Sequence, residues 1–193
     1  MGNSKNKKTG EKNKLQKNFF SKFRSNWFKK YPVLVFIGLF ALLMVVFYCI
    51  YLPPFSQDRI ITPIATFYAI ISGQVLNLFG FGTTVYGDTI TSAQFTIAIK
   101  KGCDALEPMG LFVAGILAFP ASFRKKLIGL LIGLFAIFFL NIVRIVTLYL
   151  TGIYNREMFE AMHIEIWQVI FILVAIGLWF IWLQWAVKKV RAS

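Results

Sequence analysis

Long apolar runs dominate the pattern of hydrophobic and polar positions along the chain. Three of them cover residues 32–52, 127–150 and 164–187. At about 1.5 Å of rise per helical residue, each is long enough to cross a hydrocarbon core of about 30 Å. A fourth run, 105–123, is shorter and carries Glu107 and Pro108 near its start. The pattern predicts a bundle of about four transmembrane helices, and we expect one membrane domain over residues 31–193.

Two further segments lie between the first and second of these helices. Residues 59–79 are apolar with a stripe of small or polar side chains. Counting this segment as a full crossing would move the basic cluster 124–126 away from the side of the other basic clusters, so we expect a helix on the outer face. Further on, Gly87 and Asp88 mark a turn, and the alternation over 95–99 predicts a short β-hairpin. The predicted fold class is therefore an all-α integral membrane protein with this small outer hairpin.

The net charge of +13 is a topology signal. Ten of the 21 Lys and Arg residues lie in residues 1–30, and six more lie in 124–126 and 188–191. Four crossings put all sixteen on one side, which the positive-inside rule makes cytoplasmic. We expect a bacterial inner-membrane protein with both termini in the cytoplasm. Because topology explains the basic excess, nucleic-acid binding is rejected.

The first thirty residues form a basic cytoplasmic tail. Residues 1–18 are rich in Lys and Asn, a composition typical of disorder. Phe19, Phe23 and Trp27 then recur every four residues among basic side chains. This pattern is typical of an amphipathic helix on anionic membrane lipids.

Three chemically active side chains are predicted at similar depth on the outer side. Cys103 lies at the outer start of the second helix, and His163, the one histidine of the chain, lies at the outer start of the fourth. Arg144 lies six residues before the outer end of the third, hence about 9 Å below it. Asn141 shares its helix face. Since an arginine in an apolar helix is costly in lipid, it indicates a functional site by default.

The surroundings of the cysteine point the same way. A helix N-terminus together with Lys100 and Lys101 favours the thiolate form. Asp104 and Glu107 oppose this, unless they act as a helix N-cap and its partner three residues on. A cysteine nucleophile, an imidazole base and a guanidinium form a coherent site for acyl transfer.

Less specific interpretations stay open for each residue. Arg144 could be the counter-ion of Glu107 or Glu165, His163 could cap the interface beside Trp167, and the cysteine could be incidental. The protein would then be a non-enzymatic membrane assembly or transport subunit. A further alternative is an intramembrane cysteine protease that hydrolyses its substrate. The Cys, His and carboxylate residues lack the spacing of metal ligands, so we expect no metal and no other cofactor.

Three stretches carry a family resemblance. KGCDALEPMGLFVAG contains Cys103, FFLNIVRIVTLYLTGIY contains Asn141 and Arg144, and HIEIWQVIF begins at His163. In this order and spacing they resemble the exosortase/archaeosortase family over roughly residues 33–187, most closely the small exosortase H type.

The resemblance implies a membrane cysteine transpeptidase that faces the periplasm or exterior. Its partners would be exported proteins whose C-terminal sorting signal comprises a short motif, a transmembrane helix and a basic cluster. By this resemblance Cys103 is the nucleophile, Arg144 the arginine of the family motif, and His163 the general acid/base. The chain departs from many members in having Asp104 and Ala105 where Ser or Thr and then Gly follow the cysteine. It also has fewer spans than larger members, which leaves substrate motif and acceptor open.

Overall fold

The structure is a computed structural model that describes residues 32–188. The tail 1–30, with its predicted amphipathic segment, lies outside the described residues. The helices are α1 Pro32–Tyr51, α2 Pro54–Leu78, α3 Leu106–Ala118, α4 Phe123–Tyr154, α5 Arg156–Ala161 and α6 Trp167–Lys188. The strands are β1 Thr84–Tyr86, β2 Thr89–Thr91 and β3 Thr96–Ala98. One π-helical turn, Gln57–Ile61, lies within α2, and another, Met162–Ile166, joins α5 to α6.

The all-α membrane class is confirmed. Within residues 32–188, α1, α2, α4 and α6 are long and apolar enough to cross a bilayer. The run predicted as the second crossing forms α3, which has 13 residues and is about 20 Å long. The sequence therefore predicted the number of long helices correctly. However, the fourth helix long enough to span a bilayer is α2, whereas the sequence analysis assigned that crossing to the segment of α3.

α4 packs closely against α3 and α6 because two of its glycines let aromatic rings approach its backbone. A Cβ at Gly133 would run into the ring of Phe112 from α3, and a Cβ at Gly129 would run into Trp182 from α6. Trp182 also donates from its indole nitrogen to the carbonyl of Lys125 at 2.9 Å. Small residues at such positions permit close helix packing in membranes.

The outer β structure is a three-stranded antiparallel sheet in the order β1-β2-β3. Its first two strands form the predicted hairpin, with Gly87 and Asp88 between the paired residues Tyr86 and Thr89. The prediction of only two strands is wrong, because β3 adds to the other edge of β2. Along β3 the predicted alternation holds: Ile97 packs against the helices, while its neighbours are exposed.

Both ends of α2 adjoin elements that lead to Cys103. α2 begins three residues after Tyr51, whose carbonyl accepts a hydrogen bond from Lys101 at 3.1 Å. Near its other end, Asn77 donates to the carbonyl of Thr83 at 2.9 Å, just before the sheet. The length of α2 suits a crossing, and the outer-face position expected for residues 59–79 stays a prediction.

Candidate active site

Cys103 lies in the loop between β3 and α3. Its N–H donates to the carbonyl of Lys100 at 2.8 Å, which closes a tight turn. Gly102, with φ of 90°, adopts the left-handed conformation that suits glycine, and Ala105 adopts it as well, with φ of 58°. α3 therefore begins only at Leu106, three residues after the cysteine, and the sulfur does not sit in the first turn of the helix.

The cysteine sulfur and the histidine ring are in direct contact. Sγ of Cys103 lies 2.8 Å from Nε2 of His163, although the two residues are 60 positions apart. His163 lies in the π-helical turn Met162–Ile166, a form of helix often found at functional sites. The Phe159 ring stacks on the imidazole, with centroids 5.7 Å apart and an interplanar angle of 21°. The structure thus brings together the predicted nucleophile and base.

Arg144 joins the two sides of this pair. One terminal nitrogen of its guanidinium donates to the carbonyl of Gly102 at 3.1 Å, and the other donates to the carbonyl of His163 at 3.3 Å. The guanidinium carbon lies 5.4 Å from the ring centroid of Phe171, in a cation–π contact. A single planar side chain thereby links the cysteine loop to the histidine turn.

Pairing of Arg144 with a carboxylate is not found. The side chain is 4% exposed, and its Nε has no hydrogen-bond partner among residues 32–188. In that part of the chain, the one ion pair within 4 Å joins Lys100 and Asp88. The interpretation of Arg144 as the counter-ion of Glu107 or Glu165 is therefore wrong.

Two further polar residues hold the cysteine loop. Asn141 is buried on α4 and donates to the carbonyl of Cys103 at 3.1 Å. Asp104 is buried and accepts from the hydroxyl of Tyr51 at 3.2 Å and from the N–H of Leu106 at 3.0 Å. The N-cap of α3 is Ala105, so the predicted N-cap role of Asp104 is wrong, although its carboxylate does accept from the first N–H group of the helix. Tyr51 was not predicted; its one signal was its place among aromatic residues at the end of α1.

The thiol is less acidic than expected. Burial raises the pKa of Cys103, and the charge of Asp104 adds to this, while Arg144 opposes it. The two lysines are engaged elsewhere, because Lys100 pairs with Asp88 at 2.8 Å and Lys101 donates to α1. The predicted bias toward thiolate is therefore wrong.

The imidazole is shifted in the direction that keeps it neutral. Burial lowers the pKa of His163, and the nearby positive charge of Arg144 lowers it further. With the Cys103 pKa raised, the form favoured near neutral pH is a thiol beside a neutral imidazole, which can accept its proton.

A cavity of about 180 Å³ lies between α1, α3, α4 and α6. Arg144 and Gly102 line it, together with Glu107, Gln168 and Leu111. Glu107, expected as the capping partner of Asp104, thus faces the cavity. Arg144 thus places a positively charged side chain at the wall of this space.

An apolar groove continues from the cavity along the bundle. It has a volume of about 320 Å³ and is lined by Phe36 and Phe40 of α1, Leu111 of α3, and Trp179 and Phe180 of α6, among others. Leu111 lines both spaces, so they adjoin. Within residues 32–188 no cluster of three His, Cys, Asp or Glu side chains is placed to hold a metal ion.

Comparison with known proteins gives one match. Residues 33–181 match the family model described as transmembrane exosortase (Exosortase_EpsH). No curated protein and no solved structure matches the chain significantly. The matched range contains all six side chains predicted for the site, and the family expected from the sequence motifs is confirmed.

Proposed function

The chain belongs to the transmembrane exosortase family, and we propose that it is a membrane cysteine transpeptidase acting on exported proteins. It cleaves their C-terminal sorting signal and transfers the new C-terminus to an acceptor. The observation that carries the proposal is the 2.8 Å contact between Sγ of Cys103 and Nε2 of His163. A nucleophile within hydrogen-bond reach of its base is the basic requirement of covalent acyl transfer.

The substrate's transmembrane helix occupies the apolar groove between α1, α3 and α6. An apolar helix entering sideways from the lipid would cover the exposed rings of this groove, such as that of Phe180. Since the groove adjoins the cavity at Leu111, the residues just before the helix reach the cavity beside Arg144. The scissile peptide bond then lies next to Cys103.

The reaction proceeds through a thioester. As the Cys103 sulfur attacks the scissile carbonyl carbon, Nε2 of His163 takes the thiol proton. The imidazolium returns this proton to the amide nitrogen, the C–N bond breaks, and the transmembrane tail leaves as an amine. An acceptor amine then attacks the thioester, His163 removes its proton, and the thiol is restored as the new amide forms.

Arg144 acts mainly as a positioning residue. Its two terminal nitrogens hold the carbonyls of Gly102 and His163, which fixes the separation between sulfur and imidazole. Two of its five N–H groups make these bonds, and one of the others stabilises the oxyanion of the tetrahedral intermediate. Asn141 supports the cysteine loop through the hydrogen bond that its amide donates to the Cys103 carbonyl.

The test is co-expression with a candidate exported protein that ends in a motif, a transmembrane helix and a basic cluster. The wild-type protein should convert it to a shorter form, and Cys103→Ala should abolish this conversion while the variant still inserts into the membrane. Cys49→Ala is the matched control, because Cys49 is an exposed free cysteine on α1 and should leave conversion intact. Conversion that persists in Cys103→Ala would end the proposal.

A further inference from the structure

The pairing register of the sheet decides which backbone groups of β3 face β2. Ile97 lies opposite Ile90, and the N–H of Ile99 donates to the carbonyl of Asp88 at 2.8 Å. In an antiparallel pair, alternate residues exchange backbone hydrogen bonds and the residues between them face away. Ile97 and Ile99 therefore direct their backbone groups to β2.

The residues between them form a free edge. The N–H and C=O groups of Thr96 and Ala98 project from the side of β3 opposite β2, and both residues are exposed. In the part of the chain that the structure describes, no backbone or side-chain group bonds to them from that side. Unpaired edges of this kind are templates for the addition of another strand.

This free edge leads to the cysteine and histidine. Cys103 follows Ala98 by five residues. At the other end of the strand, Thr96 lines an open cleft of about 550 Å³, whose opposite wall is formed by residues of α5 that include Phe159. Because Phe159 stacks on His163, the edge runs from this cleft toward the reacting pair.

We propose that the free edge of β3 binds the substrate segment that precedes the scissile bond, as an added fourth strand. This inference rests on the proposed transpeptidase function. It explains how the site of Cys103 and His163 would hold the substrate backbone. The ligand is an extended peptide, held by main-chain hydrogen bonds to Thr96 and Ala98, as in other cases of strand addition. Arg156 and Glu160 in the cleft contact the side chains of its first residues.

The direction and length of the added strand follow from the position of the nucleophile. The substrate's scissile carbonyl must reach Cys103, which lies beyond the C-terminal end of β3. The added strand therefore runs parallel to β3. At about 3.3 Å per residue, four substrate residues span about 13 Å, enough to cover the three residues of β3 and reach toward the turn.

The probe for this strand is acetyl-tetraalanyl chloromethyl ketone. It is applied to the full-length protein in detergent, in the Cys49→Ala variant, which has Cys103 as its one cysteine. The thiol sulfur forms a bond to the methylene carbon, chloride leaves, and His163 takes the thiol proton. Iodoacetamide alkylates the same thiol without a peptide. The ratio of the two rate constants therefore reports recognition of the peptide backbone, independently of thiol reactivity.

The register of the added strand on β3 can be tested without changing the residues of β3. For this, the four alanine amides of the probe are N-methylated one at a time. Methylation at alternate positions should lower the ratio by about 3- to 10-fold, the effect of one lost hydrogen bond, and the other positions should have little effect. Equal effects at all four positions, or none, would overturn the added strand.

A backbone variant gives the complementary test. Ala98→Pro removes a free-edge N–H and should lower the ratio by about 3- to 10-fold. Val85→Pro is the matched control, because Val85 is the middle residue of β1 and its N–H points away from β2 at the opposite edge of the sheet. An unchanged ratio in Ala98→Pro contradicts the inference. A wild-type Cys103 inert to both reagents would instead overturn the proposed function itself, and the inference with it.

Discussion

At the scale of single residues, the guanidinium of Arg144 holds two carbonyls from different elements, those of Gly102 and His163. A lysine keeps the charge but lacks the planar fork that reaches both. We expect Arg144→Lys to slow substrate conversion by about 100-fold, because small displacements of reacting groups have effects of this size.

The control for this variant is Arg124→Lys, a substitution at the far end of the same helix, which should convert substrate normally. Membrane insertion and amount of both variants are checked by immunoblot. Near-normal conversion by Arg144→Lys would show that the charge alone matters and that the two carbonyl contacts do not set the geometry.

The acidity of the thiol gives a second prediction at this scale. Burial raises the pKa of Cys103 above the ordinary cysteine pKa of about 8.5. The fraction of thiolate should therefore still be increasing with pH at about pH 8.5. In Cys49→Ala protein, the rate of alkylation by iodoacetamide should therefore climb steadily from pH 6 to beyond about pH 8.5. Since the pKa of His163 is lowered, imidazole protonation should affect this rate only below about pH 6.5. A rate that is already high and flat between about pH 5 and 8 would indicate a thiolate–imidazolium pair instead.

At the scale of elements, the packing of α3 on α4 depends on Gly133. A Cβ there would run into the ring of Phe112, so Gly133→Ala should force α3 away from α4 and lower stability by about 1–3 kcal/mol. Thermal unfolding of the purified protein in detergent measures this loss. Gly38→Ala is the matched control, because a Cβ at Gly38 meets no atom within 4 Å. Adding Phe112→Leu to Gly133→Ala should restore part of the loss, and an unchanged melting temperature in Gly133→Ala would contradict the packing.

The elements that the sequence predicted are those with a local signal. Apolar runs gave the long helices, and the depth of Cys103, Arg144 and His163 along those runs predicted that they meet. The segment of β3 was predicted from its alternation, but a sheet of three strands was not, because β2 has only three residues and the pairing of β3 with it is not encoded in the alternation of either strand. The contact between Tyr51 and Asp104 joins positions 53 apart, so no periodicity could have indicated it. Thiol acidity was misjudged because burial raises the pKa of Cys103 and its burial is not visible in the sequence. In addition, Lys100 and Lys101, its neighbours in sequence, are bonded elsewhere in space.

At the scale of the whole molecule, the charge distribution predicts the placement of α2. If α2 crossed the bilayer in addition to α1 and α3, Arg124 and its basic neighbours would face outward, against the positive-inside rule. Both ends of α2 also adjoin elements that lead to Cys103: its start follows Tyr51, and Asn77 near its end bonds Thr83. We therefore expect the two ends of α2 on the outer side of the membrane.

Single cysteines in a chain lacking Cys49 and Cys103 test this topology. Asp58→Cys and Phe79→Cys place exposed thiols near the two ends of α2, and Ser122→Cys places one before α4. In intact cells, a membrane-impermeant maleimide should label positions 58 and 79 but reach position 122 only after permeabilisation. A crossing α2 would instead give opposite results at 58 and 79. That result would also place the loop of Cys103 and the cluster at Arg124 on sides that the sequence does not predict.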